Sequence, residues 1–380
     1  MSINFPVQVA EAEKALGEEY LGVEEEKESE DSEMLSESLN PFDPSKIKVS
    51  TEKKTIHLLM SRIAHGEVDL APEFQRRARL WPIKRKSQLI ESLLLRIPLP
   101  VFYVAANFDD DWVVVDGLQR ITTIFDYLSG EFSLKGMEYL QQLEGMKFSE
   151  LDRSMQRRIS ETELIYNVIQ PGTPDEVMMN IFRRINTGGM PLNGQEIRNA
   201  INKGSARGFL ESLASSPEFA DATDRSVKDY RMDAQEMVLR FMAFRCLDWN
   251  DYKSLDSFLN IAMKKLSSMT EGELGDLAIL FKKAMVRSRL VFGAEAFRKP
   301  KVRKRNPISK PLFEGWSVLL SLFSDDEFSE ILVRKDSVMQ AFKSSFDTDQ
   351  EFVNSVTYST GLSSRVYKRF ETLSRILRNK

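Results

Sequence analysis

The stretch Trp112–Thr123, WVVVDGLQRITT, places a carboxylate, an amide and a guanidinium at one corner: Asp116, Gln119 and Arg120. Trp112–Val115 reads as a short buried strand, Asp116-Gly117 as a turn, and Ile121–Leu128 as a short helix that starts right after Arg120. A strand that ends in a glycine turn and feeds a helix aims free backbone N–H groups at one spot, and that spot prefers an anion. Arginine can grip a phosphate through two parallel N–H bonds, and aspartate can hold a hydrated Mg²⁺. The implied chemistry is phosphate binding, the phosphate belonging to a nucleotide or to a nucleic acid backbone. Asp116, Gln119 and Arg120 are then the candidate catalytic residues, Gly117 and Thr122 candidate phosphate contacts, and Asp116 the candidate metal ligand. The alternative is an ordinary strand–turn–helix in which Asp-Gly is only turn chemistry.

Two other stretches carry residue types suited to phosphates. Asn186, Thr187, Gly188 and Gly189 form a polar, glycine-rich linker between two helical patterns, flanked by Arg183, Arg184 and Arg198. Its backbone can approach a ligand closely, although helix–Gly–helix turns are common. Arg298–Arg305, RKPKVRKR, holds six basic residues in eight, and Pro300 and Pro307 keep it out of a helix. Lys301, Arg303, Lys304 and Arg305 are candidate nucleic acid contacts; a solvated loop is the alternative. Asp109–Asp111 fits a hairpin loop better than a cation site. The single cysteine, Cys246, sits in an apolar helical pattern, and the two histidines, His57 and His65, share a helix. That inventory argues against a disulfide framework and against a zinc site.

The elements that must position these residues follow from periodicity. Ile56, Leu59, Met60 and Ile63 fall at helical spacing within Ser50–Gly66. Pro82 fits the first turn of a helix running to about Arg96, with Leu89, Ile90, Leu93 and Leu94 inward. Lys84, Arg85 and Lys86 in that first turn oppose the helix dipole, which fits a solvated helix end better than a polyanion partner. Ile97-Pro98-Leu99-Pro100 stops the helix, Val101–Ala105 reads as a strand, and Glu161–Ile169 reads as another. Thr173 and Pro174 open a helix with Val177, Ile181 and Ile185 as its stripe; Asn193 and Glu196 open the next as a capping pair. From about Lys203 the pattern is helical: Asp233 and Glu236 form a second capping pair, and amphipathic segments cover 253–268, 272–292, 308–323, 327–343 and 362–378.

The formal net charge of −4 hides an asymmetry. Residues 1–45 hold 13 acidic residues against two lysines, so the rest of the chain carries a net charge of +7. The first 45 residues cannot bury enough apolar surface to offset their ordering entropy and read as an acidic, disordered arm. The basic body permits a nucleic acid partner, for which the arm is either a competitor or a solvated tail. No run of about 18 apolar residues and no secretory pattern is present, so a cytoplasmic protein without membrane contact is expected.

Five stretches in order resemble one family. They are Pro72–Arg76 followed by Trp81, Leu89–Pro100, Val114–Ile124, Phe182–Ile201 and Arg231–Phe244. Together they are similar to the GmrSD-type N-terminal domain, domain of unknown function 262, which carries an Asp-Gly-Gln-Gln-Arg motif. The resemblance implies an α+β architecture: a small mixed domain related to ParB and sulfiredoxin over 46–205, then a mostly helical domain over 206–380. It implies an NTP-binding, NTP-hydrolysing protein that acts on DNA in bacterial restriction or phage defence, with an NTP and Mg²⁺ as cofactors. The motif lands on Asp116, Gly117, Leu118, Gln119 and Arg120, and Leu118 departs from it at the third place. Gln75 and Arg76 match the upstream motif and would line the same pocket, with Asn186, Thr187 and Gly188 closing over it and Glu196 or Arg198 supporting them. Larger members append a His-containing endonuclease domain, which two histidines near the N-terminus cannot furnish. The competing expectation is a non-catalytic, nucleotide-gated or DNA-binding sensor that recruits a separate effector or nuclease subunit. The oligomeric state is left open.

Overall fold

The computed structural model describes residues 22–24, 48–70, 81–185, 193–202, 204–229, 231–300 and 306–379. They divide into two compact units, Phe42–Ile201 and Asn202–Lys380, the latter joined by Gly22–Glu24. The first is mixed and the second helical, as the α+β expectation requires. No described helix is long and apolar enough to cross a membrane.

The mixed unit is built on a five-stranded sheet ordered β1-β5-β3-β4-β2. Its strands are β1 (Val49–Thr55), β2 (Val68–Asp69), β3 (Phe102–Ala106), β4 (Trp112–Asp116) and β5 (Glu163–Ile169). β1 and β5 pair antiparallel, β5 and β3 parallel, β3 and β4 antiparallel, β4 and β2 parallel. Helices α1 (Ile56–Ala64), α2 (Ile83–Leu94), α3 (Leu118–Leu128) and α4 (Arg153–Ser160) contribute Leu59, Ile90, Ile121 and Ile159 to one core with Phe102, Val104, Trp112, Val114 and Tyr166. α5 (Asp175–Ile185) and α6 (Gly194–Ile201) bring Met179, Phe182 and Ile197 against Ala105, Val115 and Ile169. Both faces of β4 are thus buried, which is why its sequence is an unbroken apolar run and not an alternation.

Two expectations need correction here. Val49–Thr55 is a strand and not helix: it carries no helical stripe, and it pairs with β5 over its full length. The basic first turn of α2 is largely spent on the fold. Lys86 is buried in an ion pair with Asp126 of α3 at 2.8 Å, and Arg85 stacks over Trp81 at 4.3 Å. On the same helix Glu91, only 3% exposed, accepts backbone N–H bonds from Glu138, Tyr139 and Leu140 at 3.1, 2.7 and 2.7 Å. Burial pushes its carboxyl pKa up, but the three N–H bonds prevail and hold it below the ordinary value. The Asp109–Asp111 run is a hairpin turn: Asn107 Oδ1 accepts from Asp109 and Asp111 N–H, and Asp110 is held by Arg62 and the Trp112 indole.

The helical unit comprises α7 (Ser205–Ala214), α8 (Pro217–Ala222), α9 (Asp233–Cys246), α10 (Leu255–Ser267), α11 (Glu271–Phe292), α12 (Lys310–Leu322), α13 (Asp325–Val333), α14 (Lys335–Thr348), α15 (Gln350–Ser355) and α16 (Ser363–Arg378). α9 and α12 are buried along most of their length and form its centre. Their charges meet inside. Arg240 binds Glu236 at 2.7 Å and Glu314 at 3.2 Å; Arg369 of α16 also binds Glu314; Lys310 binds Asp233 at 2.9 Å and Glu236 at 3.3 Å. Asp233 and Glu236 therefore serve this network, and Asp229 caps α9 instead, accepting from Ala234 N–H at 2.8 Å. The segment expected at 327–343 is two helices, broken at Arg334. Gly22–Glu24 adds to this unit as a short strap: Glu24 N–H donates to Ile308 O at 2.8 Å, Ile308 N–H to Gly22 O at 3.1 Å, and Val23 packs on the core.

Candidate functional site

β4 ends at Asp116, and Gly117 turns the chain directly into α3. Gly117 has φ +97°, and a Cβ there would lie 2.4 Å from the Phe102 ring, so only glycine fits. The helix begins at Leu118, three residues earlier than the sequence pattern indicates, because Gly117 in the left-handed region acts as its N-cap. Leu118, Gln119 and Arg120 thus form the first turn, where the N–H groups have no helical carbonyl to reach. Gly117 has no side chain to cap them.

Arg120 turns inward. Its guanidinium donates to Pro100 O, to Val101 O at 3.3 Å and to Asp116 Oδ2 at 3.1 Å, and it lies 4.1 Å over the Phe102 ring. Burial pulls its pKa below the ordinary value while Asp116 opposes that shift, and an arginine here stays charged. Asp116 is about one-third exposed and gives one carboxylate oxygen to this pair. Leu118 packs against the core of the sheet unit, which accounts for an apolar residue at the motif's third place. Thr122 lies one turn behind Leu118 and Gln119. It is 4% exposed, yet its hydroxyl has no hydrogen-bond partner among the described residues, whereas neighbouring Thr123 donates to Gln119 O at 2.7 Å.

Asp116, Gly117, Gln119, Arg120 and Thr122 are thereby brought to one corner. Gln75, Arg76, Asn186, Thr187, Gly188, Lys301, Arg303, Lys304 and Arg305 lie outside the described residues. Beside the linker, Asn193 and Glu196 form the reciprocal cap expected of them, at 2.8 Å each way. Arg198 is 2% exposed and donates to Gln195. At the start of the basic run, Arg298 is 1% exposed and spent on Ser226, Asn306 and Ala294, while Lys299 pairs with Glu24 at 2.8 Å. Arg298 therefore belongs to the packing of the helical unit. Among the described residues no group of three or more His, Cys, Asp or Glu could hold a metal ion. Asp116 offers one carboxylate, which suits a Mg²⁺ that takes its remaining ligands from phosphates and water.

Sequence reasoning missed Pro100, Val101 and Phe102, the groups that hold Arg120. No spacing rule reveals them, since they come from the adjacent strand and the loop before it.

The frame of this corner is a helix that leaves a buried strand through a left-handed glycine, within an α+β unit. Residues 56–202 match the family described as GmrSD restriction endonuclease, N-terminal domain. The expected resemblance is thus borne out over most of its range, and the Arg231–Phe244 stretch lies beyond the match. No curated protein and no solved structure matches the chain.

Proposed function

We propose that this protein binds a nucleoside triphosphate at the β4–α3 corner and acts on DNA in a restriction or phage-defence system. The observation that carries this reading is the buried Thr122 hydroxyl, without a partner among the described residues, one turn behind a helix start that has no side-chain cap. A buried hydroxyl without a partner costs about 1–3 kcal/mol, a cost that an incoming phosphate oxygen would remove. Helix N–H groups and the Arg120 charge favour the same anion. Asp116 would hold Mg²⁺, which when bound neutralises phosphate charge, and Gln119 would orient the phosphates or water. Gln75, Arg76, Asn186, Thr187 and Gly188 would complete the pocket. Lys301, Arg303, Lys304 and Arg305 would contact the nucleic acid backbone.

The sensor reading is favoured by one observation: the histidines do not form a nuclease centre. His57 is exposed on α1, and His65 Nδ1 lies 2.8 Å from Ser61 O at its end. DNA cleavage would then fall to a separate effector or nuclease subunit.

The test is phosphate release from each of the four NTPs with Mg²⁺, with and without duplex DNA. Wild type is compared with Asp116→Ala and Thr122→Val. Turnover that DNA alters and both substitutions abolish is the expected result. Nucleotide binding without turnover establishes the sensor. Arg120→Ala is a poorer probe, because it also releases Pro100 and Val101. Thr122→Val keeps shape and removes only a hydroxyl that has no partner among the described residues. Unchanged nucleotide binding by Thr122→Val would remove the site.

A further inference from the structure

The geometry points to a pocket for the heterocyclic base of that nucleotide, adjoining the β4–α3 corner and gated by Arg96. This rests on the phosphate reading of the corner. A cavity of about 460 Å³ opens in the sheet unit between Arg96–Leu99 on one side and Arg158 with Glu161–Ile165 on the other. That volume lies in the range of small-ligand sites, about 300–1,000 Å³. Leu93, Leu99, Phe102 and Leu164 give it an apolar floor, and Arg96, Glu161 and Glu163 give it a polar rim.

The cavity is a gap in the sheet. β3 begins only at Phe102, opposite Tyr166, so Glu163–Ile165 of β5 have β1 on one side and no β3 residue on the other. Pro98 and Pro100 have no N–H and cannot extend the ladder into the gap.

Arg96 is the residue that marks the gap as a site. It follows α2 at the position where a Schellman turn favours glycine: Arg96 N–H donates to Leu93 O at 3.1 Å and Ile97 N–H to Ser92 O at 2.8 Å. Arg96 adopts φ +61°, a conformation that is costly for a residue with a Cβ. Arg96 is exposed, lines the cavity, and its guanidinium has no partner among the described residues. Strain at a side chain that returns nothing to the fold is the pattern of a ligand contact.

The cavity and the phosphate corner share their wall. Phe102 floors the cavity and carries the Arg120 guanidinium on its ring. Arg120 also fixes the carbonyls of Pro100 and Val101, which continue the Ile97–Leu99 wall. A ligand that fills both places has a flat, largely apolar ring and a phosphate tail. The planar Arg96 guanidinium suits the face of such a ring, and the Glu161 and Glu163 carboxylates suit its imino and amino N–H groups.

The test is equilibrium binding by the full chain, with Mg²⁺, of ATP, GTP, CTP, UTP and inorganic tripolyphosphate. Wild type, Arg96→Gly, Ile97→Trp and Thr122→Val are compared. Wild type should prefer at least one nucleotide over tripolyphosphate by about tenfold or more, the worth of one stacked ring. Arg96→Gly and Ile97→Trp, the latter filling the cavity from a half-exposed wall position, should erase that preference and leave tripolyphosphate binding unchanged. Arg96→Gly should melt no lower than wild type, which separates lost binding from lost folding. Thr122→Val should weaken both kinds of ligand. A nucleotide preference that survives both pocket substitutions overturns the base pocket and leaves the phosphate site standing. A wild type that binds neither nucleotide nor tripolyphosphate overturns the phosphate reading and the pocket with it.

Discussion

In the helical unit Glu314 is fully buried and shared by Arg240 and Arg369, and the same network continues through Glu236, Lys310 and Asp233. In the sheet unit Thr122 is nearly as buried, yet neither its hydroxyl nor the guanidinium of Arg96, whose backbone is strained, has a partner among the described residues. The first arrangement joins three helices and leaves those six side chains committed to one another. The second leaves polar groups that meet no partner among the described residues. Polar groups consumed by packing are architecture, and polar groups left over beside a helix start are where a ligand is to be sought.

The contrast can be broken at its strongest point first. Glu314→Ala removes the buried carboxylate that Arg240 and Arg369 share and should cost about 3–5 kcal/mol in denaturant unfolding. A variant as stable as wild type would mean that the network is not what holds α9, α12 and α16 together. Gly117→Ala comes next. Its new Cβ meets the Phe102 ring in a left-handed backbone, and the expected loss is about 2–4 kcal/mol, read by the same unfolding experiment. A loss near zero would show that the corner can relax, and that its geometry is less fixed than the helical centre. The smallest effect concerns Glu91, whose folded pKa is depressed. Its contribution is fully present above the unfolded carboxylate value of about 4.3 and is lost as pH falls through the lower folded value. Glu91→Gln should cost about 1–2 kcal/mol at pH 7 and flatten the loss of stability below about pH 4. An unchanged acid slope would assign that slope to other carboxylates.

What could be read beforehand was local. The apolar run of β4, the glycine turn and the Asn193–Glu196 cap are short-range patterns, and each one formed. The strand at Val49–Thr55 was not legible, because β5, more than a hundred residues away, supplies the pairing that decides it. The same holds for Arg120. Its type fits phosphate recognition, but its donors are claimed by carbonyls of a loop that folds back beside it. Lys86 was read as a free cation because Asp126 lies on another helix. Arg96 carried a faint signal, a charged residue where a helix end favours glycine, which acquires meaning only once a cavity stands next to it.

The strap at Gly22–Glu24 has a consequence for how the chain is assembled. Glu24 meets Lys299 across a separation of 275 residues, so in topological terms the sheet unit is an insert within the helical one. During synthesis Val23 leaves the ribosome long before Ile308 exists to receive it, and the helical unit closes only after the sheet unit has been made. Because closure entropy grows only with the logarithm of loop length, so long a detour costs little more than a short one. A fragment starting at Asn202 would present Ile308 with its N–H and carbonyl unclaimed, a small open edge able to recruit an extended segment from another molecule.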